Sequence, residues 1–233
     1  MEILKGMSRP RRSAKQPVVL HGGHAGYVLP AVAEFLRSHV RPGFRTLETG
    51  AGLSTLIFAE RGAMHEVITP SDDERQAILA EAAECGIDTS RVQFHMGFSQ
   101  DILPKLQGPL DLVLIDGGHG FPIPEIDWAY TAPRLRVGGL LLIDDIDLWT
   151  GIHLVEFLKA EPGWQYLESL EDRTAIFELT APAELREWNM QPYVRAKSWL
   201  PQNTRRLRRG LRHVAHGEFS ELGAKLRNYF DAT

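Results

Sequence analysis

Two hydrophobic rhythms alternate along the middle of the chain. Short strand-length segments occur at 45–48, 66–69, 92–96, 110–115 and 139–143, the last two nearly unbroken apolar runs. The run at 110–115, Leu-Asp-Leu-Val-Leu-Ile, has the pattern of a strand covered on both faces. Between the runs, apolar residues recur at helical spacing over 54–61, 73–85, 102–106, 125–134 and 151–160. Gly62 and Gly86 close two of these helices, at the position that favours a left-handed residue. An earlier helix over 27–39 stops at Arg41-Pro42-Gly43. Runs at 164–169 and 174–179, joined by a Glu171-Asp172-Arg173 turn, predict an antiparallel pair.

Strands that alternate with helices need crossover connections. The expected fold class is therefore α/β, with a doubly wound, mostly parallel sheet of seven strands ending in a C-terminal antiparallel hairpin. After residue 180 the pattern breaks. Trp188, Tyr193, Trp199 and Pro201 fall in an irregular aromatic stretch; 205–213 then predicts a basic amphipathic helix, and 219–230 a second helix. The expected organisation is a basic leader at 1–17, an α/β domain at 18–180 and a basic helical extension at 181–233.

Ligands of doubly wound sheets bind beyond the carboxyl ends of the strands, so the residues that end strands carry the candidate chemistry. The first strand runs into Glu48-Thr49-Gly50-Ala51-Gly52-Leu53-Ser54. Gly50 and Gly52 permit a tight turn and close backbone approach, and Ser54 opens the next helix. A dinucleotide site wants a third glycine where this chain has Thr55. Glu48 stands before the glycines instead. Its carboxylate would repel a pyrophosphate but suits the ammonium and sulfonium charges of S-adenosylmethionine (AdoMet). Electrostatics therefore favours AdoMet over NAD, with a purely structural glycine turn as the plain alternative.

Asp116 ends the fourth strand, and Asp144-Asp145 end the fifth. Carboxylates converging over one sheet edge repel unless a cation or protons intervene. Mg²⁺ takes few protein carboxylates and accepts substrate oxygens as its other ligands, so it is the candidate metal. Equally, Asp116 can serve without a metal while Asp144 or Asp145 caps the next helix. His119, just after Gly117-Gly118, has the intrinsic pKa to accept a hydroxyl proton near neutrality. His21 and His24 are candidates to line a cofactor entrance, and Asp147 and Trp149 to border an acceptor pocket.

Taken in order, Glu48-Thr-Gly-Ala-Gly-Leu-Ser-Thr, Ile115-Asp-Gly-Gly-His and Leu135-Arg-Val-Gly-Gly-Leu-Leu-Leu-Ile-Asp-Asp resemble class I AdoMet-dependent methyltransferases over roughly residues 25–180. Within that superfamily they are similar to the catechol- and macrocin-type O-methyltransferases, including methyltransferase family 24. The resemblance implies AdoMet as cofactor, with Glu48, Gly50, Gly52, Ser54 and Asp116 among its contacts. It implies an acid holding the ribose after the second strand; this chain has Ser71 there, followed by Asp72 and Asp73, so Ser71 and Asp72 become the candidates. It places Ser99 against the adenine. Asp116, Asp144 and Asp145 match the metal-holding acids of metal-dependent relatives. The acid that serves as base in macrocin-type relatives is replaced by Gly118, which leaves the catalytic role to His119 beside Asp116. The implied reaction is O-methylation of a small molecule or a sugar or glycan precursor. A non-catalytic AdoMet-fold module, binding a partner or membrane through its tail, is the alternative.

Charge modifies the picture at the ends. The net charge of −4 hides five Lys/Arg against one acid in residues 1–16, 11 against 24 in 17–180, and ten against five in 181–233. An acidic middle and the lack of an aromatic RNA-reading motif argue against a nucleic-acid partner. Arg205-Arg206-Leu207-Arg208-Arg209 suits an anionic membrane surface, with a helical cap or a contact between copies of the chain as alternatives. One cysteine, no apolar signal core and no long apolar run fit a cytoplasmic protein, peripheral at the inner membrane face if the tail binds lipid.

Overall fold

The computed structural model describes residues 28–215. His21 and His24, the leader at 1–17 and the helix expected at 219–230 lie outside the described residues. The chain divides into two compact units between Leu185 and Arg186.

The first unit is a seven-stranded sheet flanked by helices. Helix α1 (Pro30–His39) leads into β1 (Arg45–Thr49), α2 (Leu53–Glu60), β2 (Met64–Thr69), α3 (Asp72–Cys85) and β3 (Val92–Met96). The chain continues through α4 (Ser99–Ile102), β4 (Leu110–Ile115), α5 (Ile123–Thr131), β5 (Leu135–Ile143), α6 (Trp149–Ala160), β6 (Trp164–Leu170) and β7 (Thr174–Leu179). The strand order is β3-β2-β1-β4-β5-β7-β6. Strands β1 to β5 are parallel, and the hairpin β6–β7 joins the edge antiparallel to β5. The doubly wound sheet with a terminal hairpin expected from the pattern is therefore the observed fold.

The apolar runs are buried as their patterning predicts. Leu112, Val113 and Leu114 of β4 are each at most 1% exposed, the mark of a strand covered on both faces. One layer of core joins α1 and α2 to the sheet through Leu36, Leu56, Ile57, Phe58, Leu112 and Leu142. Gly86 ends α3 in the left-handed region at φ 67°.

Several elements differ from expectation at their ends. Strand β5 begins four residues earlier, at Leu135, and pairs with β4 through a register shift between Leu110 and Leu112. The helix expected at 125–134 is α5 with a final 3₁₀ turn at Ala132–Arg134. In the second unit, the stretch read as irregular is largely one helix, α7 (Pro192–Ala215). Pro192 sits at its first position, where a missing N–H costs nothing. Pro201 lies inside it, removing one intrahelical hydrogen bond while the helix continues on both sides.

Candidate active site

The site lies where the sheet order reverses, between β1 and β4, at the carboxyl ends of the parallel strands. Backbone bonds run across this edge: Gly50 N–H donates to Ile68 O at 2.9 Å, Asp116 N–H to Thr49 O at 3.1 Å, and Asp144 N–H to Ile115 O at 2.9 Å. Gly50 has φ 84°, and a Cβ there would stand 2.2 Å from the Asp116 carbonyl oxygen. Only glycine fits. The turn expected to cradle a cofactor is thus also in contact with the loop that carries Asp116.

A cavity of about 540 Å³ opens over this edge. Its lining comes from the Gly50–Ala51 turn, from Ser71 and Glu74, from Phe98 and Ser99, and from Asp116 with Gly117 and Gly118. Of the residues expected to meet the cofactor, Gly50, Ser71, Ser99 and Asp116 line this cavity.

Glu48, Gly52, Ser54 and Asp72 do not line it. Glu48 is 1% exposed, and its carboxylate faces inward. It accepts a hydrogen bond from the Thr55 hydroxyl and meets His65 Nε2 at 3.1 Å. His65 Nδ1 in turn meets the Thr46 hydroxyl at 2.8 Å, and the imidazole stacks on Phe58 at 4.3 Å. Thr55 also accepts the Gly52 N–H at 3.2 Å. Thr55, the residue that replaces a dinucleotide glycine, therefore ties the turn to the core. In this geometry the Glu48 carboxylate is held by Thr55 and His65 beneath the loop.

Asp72 points to Arg75 and Gln76, whose hydrogen bonds hold its carboxyl below the usual range. Glu74 reaches the cavity instead, and sequence reasoning missed it. Ser71 caps α3 by accepting the Glu74 N–H at 3.2 Å, and the Glu74 carboxylate accepts the Thr69 hydroxyl at 2.8 Å. The available signal was the spacing Ser-x-x-Glu, which places the glutamate one turn inside the helix on the side of the cap.

Asp127 was missed as well. It is fully buried on α5, with the hydroxyls of Ser99 and Thr49 beside its carboxyl, short of good hydrogen-bonding geometry. Burial pushes its pKa above the usual carboxylate range, and the two hydroxyls oppose that shift only in part.

Beyond the cavity, Asp116, His119 and Asp145 each bring one ligand-type atom within 4.8 Å of the others. His119 Nε2 stands 3.2 Å from Asp145 Oδ2. The other Asp145 oxygen accepts Arg173 Nη2, and Arg173 also faces Asp147 at 3.8 Å. Asp144 accepts the Thr174 hydroxyl. The left-handed φ of 52° at Asp145 marks where the chain turns, so that of the two adjacent acids Asp145 joins the cluster. Of the three aspartates expected around a metal, Asp116 and Asp145 fall in this close group. The set the fold brings together is Asp116, His119 and Asp145.

The loop after His119 packs on the start of α6. Thr150 Oγ1 donates to the His119 carbonyl at 2.9 Å, Phe121 lies 5.9 Å from Trp149, and Trp149 stacks on His153 at 5.2 Å. Phe121 and Trp149 are exposed, an aromatic shelf beside the His119 loop.

Comparison with known proteins places this geometry. Residues 47–146 match the family described as "Methyltransferase domain", methyltransferase family 24. An O-methyltransferase from Aspergillus hancockii is 33% identical over 150 residues, 61% of this chain. The chain spans 57% of that relative's length. Among solved structures, a putative O-methyltransferase from Klebsiella pneumoniae superposes with TM-score 0.57 at 20% identity, covering 66% of this chain and 82% of that one. A Podospora anserina methyltransferase bound to S-adenosylhomocysteine (AdoHcy) gives 0.53 at 19%, covering 64% and 78%. These two structural likenesses are likenesses of fold. The resemblance read from the sequence is borne out.

Proposed function

We propose, for a chain whose residues 47–146 match a methyltransferase domain family, that it transfers the methyl group of AdoMet to a hydroxyl oxygen of a small-molecule or sugar acceptor. The observation that carries this reading is the cavity over Gly50, whose Asp116 edge is continuous with His119 and Asp145. AdoMet lies over the Gly50 turn, its ribose toward Ser71 and Glu74, its adenine toward Ser99. The acceptor approaches from the Asp116 side, over the Phe121–Trp149 shelf.

The reaction needs alignment more than covalent help. The acceptor oxygen attacks the methyl carbon in line with the sulfur. The carbon–sulfur bond breaks, and its electron pair leaves with AdoHcy. The hydroxyl proton passes to His119. With Nε2–H held by Asp145, Nδ1 is the accepting nitrogen, and Asp145 balances the imidazolium. A divalent cation held by Asp116, His119 and Asp145 would supply a lowered hydroxyl pKa, but one Asp145 oxygen is already paired with Arg173.

Calorimetry with AdoMet and AdoHcy tests the cofactor, and labelled AdoMet against a panel of phenolic and sugar hydroxyls tests the transfer. Absence of binding at millimolar AdoHcy would sink the reading. The alternative of a non-catalytic module is sustained by AdoHcy binding with no transfer to any acceptor.

A second role belongs to the second unit. Along α7, Trp199, Leu200, Leu207 and Leu211 are exposed, interleaved with Arg205, Arg206, Arg208 and Arg209. That arrangement suits an anionic bilayer surface. No helix among the described residues is long and apolar enough to cross a membrane. Co-sedimentation with phosphatidylserine vesicles, lost in Leu207→Glu/Leu211→Glu, is the expected result.

A further inference from the structure

We propose that Arg173 is the resident cation of the acceptor-side carboxylates and closes that cluster to divalent metals. The inference rests on the reading of Asp116, His119 and Asp145 as the reaction centre, and it concerns what neutralises them.

Three observations converge. First, the terminal hairpin delivers the residue. Glu171 and Asp172 form its turn with φ of 50° and 53°, and the Arg173 carbonyl accepts the Ile146 N–H at 2.9 Å, which fixes the hairpin to the loop after β5. Second, Arg173 faces a set of acids rather than one. Its guanidinium pairs with Asp145, lies 3.8 Å from Asp147, and feels the charge of Asp144 as well. Its side chain is only 17% exposed, so the solvent screens this attraction incompletely. Third, Asp145 is engaged on both oxygens, one by Arg173 and one by His119. A metal entering the cluster must displace the guanidinium from Asp145 or bind beside a fixed positive charge that cannot be discharged by deprotonation.

Arg173 therefore does electrostatically what a bound cation does elsewhere, relieving repulsion among the carboxylates. It also holds Asp145 facing His119. It is a positioning residue, acting through Asp145.

The test is calorimetric titration of the protein with MnCl₂, which needs neither cofactor nor acceptor. The wild-type chain is expected to show no Mn²⁺ binding at millimolar concentration. Arg173→Met, and separately Arg173→Gln, should bind at least tenfold more tightly than wild type. Asp145→Asn added to either should remove that binding, and Arg173→Lys, which keeps the charge, should stay closed. Wild-type binding as tight as that of the variants overturns the proposal. So does failure of both opened variants to bind while they keep wild-type AdoHcy affinity, the check that they are folded. If the opened variants do not fold, wild type and Arg173→Lys still decide, since Mn²⁺ bound by either one overturns it. A chain that behaves as expected toward Mn²⁺ yet never binds AdoHcy refutes the cofactor reading alone.

Discussion

On the donor side of the site, the Gly50 turn stands on Glu48, Thr55, His65 and Thr46, all buried and bonded to one another. On the acceptor side, His119 is 40% exposed, its side chain meeting Asp145 and its loop meeting Thr150 and Trp149. The two sides share one sheet edge but divide the work differently. The donor side, as proposed, offers a backbone turn seated on this buried network to the methyl donor. The acceptor side presents charges whose balance depends on residues from β4, β5 and the terminal hairpin. On the proposed reading, the buried network underlies the part that binds, and the exposed charges belong to the part that reacts.

The largest effect should come from the exposed side. His119→Ala is expected to lower methyl transfer by on the order of 1,000-fold, with AdoHcy affinity kept within about threefold of wild type, roughly 0.7 kcal/mol. Steady-state kinetics on the acceptor found by the panel, together with calorimetry, reads both numbers; a loss of AdoHcy binding would erase the division between sides. Next comes Gly50→Ala. A left-handed backbone and a Cβ 2.2 Å from the Asp116 carbonyl cost about 3 kcal/mol, or about 100-fold in AdoHcy affinity. An alanine variant with wild-type affinity would show that the turn relaxes freely. Glu48→Leu is expected to lower stability by about 2 kcal/mol, since Thr55 and His65 lose a buried acceptor. Urea unfolding measures it, and a variant as stable as wild type would show that the buried network is not what anchors the donor side.

The smallest effect concerns Asp127, which lies under the donor side. Its folded pKa is raised, so the folded state retains a proton that the unfolded chain releases. Its contribution to stability therefore falls as the pH rises from the unfolded carboxylate value, about 3.9, through the folded one, and stays reduced above it. Asp127→Asn removes that fall. The stability difference between variant and wild type should shift in favour of the variant between pH 4 and pH 8. A pH-independent difference by urea unfolding would contradict it.

The sheet and the glycine turn were legible because their signals are local. A strand run, a Gly-x-Gly and a helix start are contiguous in sequence, and Asp116 announces itself by ending the most apolar strand. Other features depend on geometry that spacing does not encode. Whether Asp144 or Asp145 faces the cluster is set by the backbone turn at Asp145, not by the identity of either residue. Glu74 takes the place expected of Asp72 because the cap at Ser71 fixes the phase of α3. Asp127 belongs to a polar position of an amphipathic helix and reads as solvent-facing until α5 is packed over Thr49 and Ser99. Arg173 lies 28 residues beyond Asp145 in a turn that looks like any charged hairpin tip. The aromatic stretch before residue 200 hid a helix because Pro201 reads as a break.

The order β3-β2-β1-β4-β5-β7-β6 draws a seam through the molecule. Strands β1 to β3 lie on one side of it and β4 to β7 on the other, while α2 and α5 pack across it. The first half holds nearly everything proposed to recognise the methyl donor, the second everything proposed to activate the acceptor. The halves are stitched by the β1–β4 ladder and by two glycine crossings, Gly50 under the Asp116 carbonyl and Gly117 against Thr49. In engineering terms the seam is a graft line. On the proposed reading the acceptor chemistry occupies one uninterrupted stretch of chain, and any graft along this line must keep Gly50 and the core that Leu56, Ile57 and Phe58 share with Leu112 and Leu142.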